Sequence, residues 1–181
     1  MGKGQGRAAM RSTVNAGVLS LLIEKPSYGG EVGRRFEERF DGLLSSRPQH
    51  IYKALDDLID QGLIERVPLE DEDRDGYRAT AHGARAYRSW LRAPIPPSSR
   101  SRTELMVRLA STRPGDVESL GVLLDSYENM VLVLARKGRA TSANVVERLV
   151  DEERRTLIDA QLRWIARARD ELRVLAATRD S

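Results

Sequence analysis

The spacing of apolar residues changes abruptly at Gly62. Before it, Ile51, Leu55, Leu58 and Ile59 recur at the three- and four-residue intervals of an amphipathic helix. Ser46-Arg47-Pro48-Gln49 has the S-x-x-Q form of a capping box at the start of that helix. Pro48 is tolerable there, because N–H groups of the first turn have no intrahelical partners. Gly62 suits the left-handed conformation that ends helices, and Leu63-Ile64-Glu65-Arg66-Val67 then reads as a strand. Gly76-Tyr77-Arg78-Ala79-Thr80 reads as a second strand, and the charged stretch from Glu70 to Asp75 between the two predicts a hairpin with its tip there.

Upstream, Ser12 or Thr13 can cap a helix running through Lys25, with Val14, Val18, Leu21 and Leu22 at helical spacing before Pro26 forbids continuation. Tyr28-Gly29-Gly30 predicts a turn into a short helix from Glu31 to Phe40, where Val32, Phe36 and Phe40 share one face. Downstream, Thr80 is an N-cap candidate for a helix through Tyr87 and Trp90 that stops before Pro94. The order helix, helix, helix, strand, strand, helix is that of a winged helix, in which the third helix enters the major groove and the hairpin reaches flanking backbone.

Residues 94–101 read as a linker, from the composition Pro94-Ile95-Pro96-Pro97-Ser98-Ser99. Helices are expected from Arg102 to Ser111 and from Asp116 to Lys137, the latter stopped by Gly138. In the second, Val117, Leu120, Leu124, Tyr127, Val131 and Leu134 alternate spacings of three and four, the pattern of a helix-packing seam. A last helix from Ser142 onward has about nine turns, too long to be buried within so small a domain, and is expected to reach another subunit. On it Leu157, Trp164, Ala168 and Leu175 form one stripe, with Ile158, Leu162, Ile165 and Leu172 beside it. The expected fold is therefore mainly α with a small β-hairpin wing: a winged helix-turn-helix domain over 12–93 followed by a helical dimerisation domain over 102–181.

Composition narrows the function. With 30 Lys+Arg against 27 Asp+Glu, the net charge of +3 is too small to argue for nucleic acid by itself, so the distribution matters. Residues 1–54 hold nine Lys/Arg and five Asp/Glu, whereas 55–92 hold six and nine, so the positive field is expected around the first three helices. The opening eleven residues carry three basic groups with no apolar run behind them and read as a flexible arm, not a secretory signal. The apolar run from Val18 to Ile23 is far short of the roughly 20 residues that span a bilayer, so a soluble, cytoplasmic chain with no membrane partner is expected. Without Cys, and with only His50 and His82, neither a disulfide framework nor a metal site is expected. No glycine-rich phosphate loop or nucleophile–base pair is recognisable, so no cofactor and no catalysis are expected.

On a helical wheel with Ile51, Leu55 and Leu58 inward, Ser46, Gln49 and Lys53 turn outward near the N-terminal end. They can donate to bases or phosphates, while Asp56, Asp57 and Asp60 repel phosphate and limit penetration to the first half of the helix. Arg66, Arg74 and Arg78 surround the hairpin as candidates for backbone contact. The alternative is that Arg47, Gln49 and Lys53 form a solvated face. His50 either meets DNA or flanks the buried side, His82 belongs to the start of the fourth helix, and Glu152-Glu153-Arg154-Arg155 reads as a solvated helix face.

The segment Gln49-His50-Ile51-Tyr52-Lys53-Ala54-Leu55-Asp56-Asp57-Leu58-Ile59-Asp60-Gln61-Gly62-Leu63-Ile64 resembles the recognition helix of the PadR family of transcriptional regulators. Pro26-Ser27-Tyr28-Gly29-Gly30-Glu31-Val32 is similar to the family's turn into helix two, and Tyr77-Arg78-Ala79-Thr80-Ala81-His82-Gly83 to its second wing strand and the following Thr-x-x-Gly. Trp90-Leu91 and Glu104-Leu105-Met106 are similar too. Gly30 stands where the family often has an aromatic residue, leaving Tyr28 as the nearby ring that could take its place beside DNA. The resemblance implies a homodimeric repressor of double-stranded DNA, often released by a small molecule or stress signal. Tyr52 joins the DNA-facing candidates. Leu124, Tyr127, Val131, Leu134, Leu157, Trp164, Ala168 and Leu175 are the dimer candidates, and Trp90 and Trp164 the candidates for an effector pocket. A MarR-like regulator fits less well, since the dimer helices lie mostly behind the winged helix; a winged-helix protein–protein adaptor that does not use DNA remains the alternative.

Overall fold

The computed structural model describes residues 10, 12–44, 47–69, 75–98, 100–113, 115–137 and 144–178. Its elements, in chain order, are α1 (Thr13–Glu24), α2 (Gly29–Phe40), α3 (Pro48–Asp60), β1 (Ile64–Pro68), β2 (Asp75–Ala79), α4 (Ala81–Arg92), α5 (Ser101–Ser111), α6 (Val117–Lys137) and α7 (Val145–Ala177). The chain divides into two compact units, residues 1–93 with 106–113 and residues 94–105 with 114–181.

In the first unit α1 is the hub, packing against α2, α3, α4 and β2. Every residue from Asn15 to Leu22 is buried, so the helix has no solvated face, and its apolar periodicity in the sequence understates its burial. Ser12 caps it, Oγ accepting the Asn15 N–H at 3.3 Å. Helix α2 begins two residues earlier than expected. Tyr28, in extended backbone, is its N-cap residue and its carbonyl accepts the Val32 N–H at 2.9 Å, so Gly29 and Gly30 lie in the first turn. Glycine lowers helix propensity by about 1 kcal/mol without forbidding the helix, and the buried stripe Val32, Phe36 and Phe40 outweighs that cost.

Helix α3 starts one residue later than a capping box would place it. Arg47 occupies the N-cap position without a side-chain cap bond, Pro48 is the first helical residue, and Ser46 lies outside the described residues. Proline's fixed φ sets this start. At the other end Gly62 has φ +64°, with Gly62 N–H donating to the Ile59 carbonyl and Leu63 N–H to the Leu58 carbonyl, the paired bonds of a Schellman motif.

The hairpin strands are antiparallel, with Ile64 opposite Ala79 and Arg66 opposite Tyr77, each strand displaced by one residue from the expected segment. Residues 70–74, at the expected tip, lie outside the described residues. Ser27 adds a bridge on the far side of β2, exchanging two backbone hydrogen bonds with Tyr77 at 3.1 and 3.0 Å. Thr80 caps α4, its Oγ1 accepting the Gly83 N–H at 3.0 Å and donating to the Gly62 carbonyl at 2.8 Å. A side chain at Gly83 is excluded, because its Cβ would lie 2.0 Å from the Leu63 carbonyl oxygen.

Residues 106–113 are held to α4 within this unit by two reciprocal links. Tyr87 Oη donates to the Ser111 carbonyl at 2.5 Å, and the buried Arg108 donates to the Ala93 carbonyl at 2.5 Å while its guanidinium lies 5.1 Å over the Trp90 ring. The carbonyl end of α4 thus serves as Arg108's negative partner.

In the second unit α6 packs against α7. Leu123, Leu124, Tyr127, Met130 and Val131 of α6 are buried, whereas Ile165 is the buried residue of α7. Arg169 ties the pair by donating to Asp125 at 2.6 Å and Glu128 at 2.7 Å, and these bonds hold its guanidinium pKa up. Asn144 caps α7, Oδ1 accepting the Glu147 N–H at 3.0 Å. At 33 residues, α7 is about nine turns long.

Candidate nucleic-acid interface

Helix α3 turns Ile51, Ala54, Leu55 and Leu58 inward, which leaves Gln49, His50, Tyr52, Lys53 and Asp56 on the outer side, with Arg47 exposed at its start. The first half of the helix therefore presents donors along one exposed face. Arg47 makes no ion pair among the described residues. Lys53 Nζ sits 3.3 Å from Asp57 Oδ1 on the next turn. Such an exposed pair is worth about 0.3–0.5 kcal/mol, so Lys53 can leave it for a base or phosphate at little cost.

Tyr52 is 52 % exposed and lies over the start of α2, its ring carbon 3.0 Å from where a Gly29 Cβ would be. Beside it, a cavity of about 380 Å³ is lined by Gly29, Gly30, Gly33, Arg34, Glu37, Pro48, Ile51 and Tyr52. Tyr52 thus has two contacts available, the α2 backbone and whatever approaches α3.

Four of the nine basic residues of 1–54 are paired with carboxylates of the same segment. Arg34 pairs with Glu38 at 2.6 Å, Arg35 with Glu24 at 3.0 Å, Arg39 with the same Glu24, and Lys25 with Glu31 at 3.3 Å. These carboxylates are already subtracted in the count of nine against five, so pairing leaves the net surplus unchanged and decides only which cations carry it. In the hairpin, Arg78 donates twice to Glu65 Oε1, at 3.0 and 2.7 Å, and these residues are cross-strand partners. Arg66 is exposed and unpaired among the described residues, while Arg74 lies outside them.

Tyr28 differs from expectation. It is half-buried and its Oη donates to the Leu69 carbonyl at 3.4 Å, so it faces the root of the hairpin. Nothing in local spacing signals a partner 41 residues away.

The dimer candidates separate into two groups. Leu124, Tyr127 and Val131 are no more than 2 % exposed and Leu134 is half-buried, so the 117–134 seam is already covered by its own chain and is not a free surface. Burial raises the Tyr127 hydroxyl pKa, with Arg102 opposing the shift. On α7, Leu157 and Leu175 are exposed and Trp164 and Ala168 half-buried. Val145, Val146, Leu149 and Val150, absent from the expected set, are also exposed. Trp90 is buried beneath Arg108 and 5.9 Å from Tyr87, so its ring face is filled by its own unit. Trp164 lies in the other unit.

Among the described residues there is no cluster of His, Asp or Glu that could hold a metal ion, and no helix is long and apolar enough to cross a membrane.

Comparison with known proteins adds a family. Residues 18–89 match the family described as transcriptional regulator PadR-like. Similar solved structures include Bacillus subtilis PadR in complex with operator DNA (16 % identity, 91 % of this chain and 99 % of that one, TM-score 0.42). The PadR-like transcriptional regulator BC1756 from Bacillus cereus is 19 % identical over 91 % of this chain and 99 % of its own, with a TM-score of 0.41. Bacillus subtilis PadR in complex with p-coumaric acid is 18 % identical over 92 % and 97 %, with a TM-score of 0.42. Likenesses this distant say nothing by themselves about function. No curated protein matches the chain. The match begins within α1, takes in α2, α3 and the hairpin, and ends within α4, so residues 18–89 of this chain are similar to the PadR-like family of transcriptional regulators.

Proposed function

We propose that the chain is a homodimeric transcriptional repressor that binds duplex DNA sequence-specifically through α3. One observation carries the reading: Arg47, Gln49 and Lys53 share the exposed N-terminal half of a helix whose opposite side is fixed in the core by Ile51, Leu55 and Leu58. A helix held this way can enter the major groove end-on, with Gln49 and Lys53 offered to base edges. Asp56 and Asp60, exposed nearer the C-terminal end, keep that end away from phosphate.

Dimerisation is assigned to α7. Val146, Val150, Leu157 and Leu175 lie along one side of a helix whose buried residue, Ile165, faces elsewhere. A second copy of the same stripe is the natural cover for an apolar surface of this length. Release by a small-molecule or stress signal belongs to the same reading; its support is the family's resemblance, and Trp164 offers an intrinsic fluorescent probe for it.

Titration of purified protein with operator-containing and scrambled duplexes over a salt series tests the proposal. Regulator behaviour requires affinity that falls steeply with salt and a preference for the operator duplex. An adaptor that does not use DNA would show neither.

A further inference from the structure

Arg66, Arg74 and Arg78 are the hairpin's proposed phosphate contacts, but a hairpin contributes affinity only if its root directs it toward the duplex. Three features meet at that root. Strand β1 ends at Pro68, opposite Asp75, and Leu69 is the next residue. The Leu69 side chain folds back over β2: a Cβ on the buried Gly76 would lie 2.2 Å from Leu69 Cδ1 and 2.8 Å from its Cγ. Leu69 thus fills the space that any larger residue at position 76 would need. The Leu69 carbonyl, in turn, accepts the Tyr28 hydroxyl at 3.4 Å.

Tyr28 is itself firmly held. Ser27, fully buried, is bridged to Tyr77 by two backbone hydrogen bonds, and its Oγ accepts from Arg35 at 2.9 Å. The Tyr28 carbonyl opens α2 by accepting the Val32 N–H. The residue that starts α2 therefore also holds the chain just beyond the end of β1.

We infer that Tyr28 and Gly76 are positioning residues for DNA binding: they seat Leu69 and so aim the wing, and Tyr28 does not itself touch DNA. The inference rests on the proposed DNA-binding function and deepens it. A wing directed in advance loses less conformational freedom on binding, which raises its contribution to affinity without adding a contact. Recognition of bases by α3 is left unchanged.

The test measures Tyr28→Phe and Gly76→Ala in the full-length protein, each alone and combined with a wing variant carrying Arg66→Ala, Arg74→Ala and Arg78→Ala. Each is titrated on operator and scrambled duplexes across a salt series. Tyr28→Phe is expected to weaken both duplexes about three- to tenfold, the scale of one side-chain hydrogen bond, and Gly76→Ala, which displaces Leu69 sterically, to weaken both as well. Their salt dependence should flatten toward that of the wing variant, with the operator-to-scrambled ratio unchanged. In the wing-variant background neither substitution should have further effect. Losses that add in full in that background would mean that Tyr28 contacts DNA directly, overturning the inference. Unchanged affinity for both single variants overturns it too, as does a wing variant that binds like wild type, because there is then no wing contribution to aim. Gly76→Ala leaves the Tyr28 ring intact and decides the matter if Tyr28→Phe does not fold. Failure of the underlying function is separately visible, since wild-type protein would then show no salt-dependent duplex binding.

Discussion

Glycines in α2 and α4 occupy opposite extremes of packing. A Cβ at Gly33 would meet nothing within 4 Å, whereas one at Gly83 would collide with the Leu63 backbone. Gly33→Ala should therefore stabilise the protein by about 0.5–1 kcal/mol through helix propensity alone. Gly83→Ala should destabilise it by about 3 kcal/mol, because the obstructing atoms are backbone and cannot swing away. Urea denaturation of the two variants checks both signs. At α3 the outward set of Gln49 and Lys53 is legible from the helical wheel, since rotation per residue is fixed once Ile51, Leu55 and Leu58 are known to be inward. The engagement of Arg78 by Glu65 and of Tyr28 by Leu69 is not, because both depend on which strands and turns become neighbours. Arg78→Ala should accordingly weaken duplex binding less than Arg66→Ala, since Arg78 must first give up two hydrogen bonds to Glu65 before reaching phosphate; equal losses in a salt series would contradict this.

Element types are readable because each carries its own period and its own stop: Pro26 closes α1, Gly62 closes α3, and Pro94 follows α4. Misplaced starts have local causes. At α2 two glycines read as a turn although their backbone is helical, and at α3 proline rather than serine fixes the first residue. The seam in α6 is recognisable as a packing surface, but a three–four spacing does not say which helix covers it, and the cover comes from its own chain. Its burial has a consequence at alkaline pH. Tyr127 has a raised pKa, so the unfolded chain, titrating near 10.0, loses this proton before the folded one does. The stability that the neutral buried phenol contributes is complete below that value and falls as pH rises through it toward the higher folded pKa. Thermal denaturation between about pH 9 and 11 should show the melting temperature of wild type falling more steeply than that of Tyr127→Phe. Parallel slopes would mean that the phenol is not protected from solvent. Thr80→Ala removes both the α4 cap and the bond to Gly62, and a loss of about 1–2 kcal/mol is expected in the same denaturation assay.

For the whole molecule, the order of elements specifies a winged helix followed by long helices, while the grouping of residues 106–113 with the first unit depends on Tyr87 and Arg108 meeting carbonyls at the ends of α5 and α4. Removing everything after Ser98 would also remove Arg108 from beneath that unit, so dimerisation is better tested by point variants in α7. Val150→Glu combined with Leu157→Glu places charge in two exposed positions of the proposed stripe and should convert dimers to monomers in sedimentation equilibrium at micromolar concentration, with the helical content by circular dichroism unchanged. Wild-type protein sedimenting as a monomer would remove α7 as an interface. Binding should weaken in the monomeric variant even though α3 is untouched, because two half-sites are then no longer engaged together. The most direct test concerns α3 itself: Gln49→Ala and Lys53→Ala measured on operator and scrambled duplexes at several salt concentrations, with Asp60→Ala as the control. If α3 reads bases, at least one of the first two loses about 1–3 kcal/mol of discrimination between the duplexes while Asp60→Ala changes little. An operator-to-scrambled ratio unchanged in both Gln49→Ala and Lys53→Ala would contradict it.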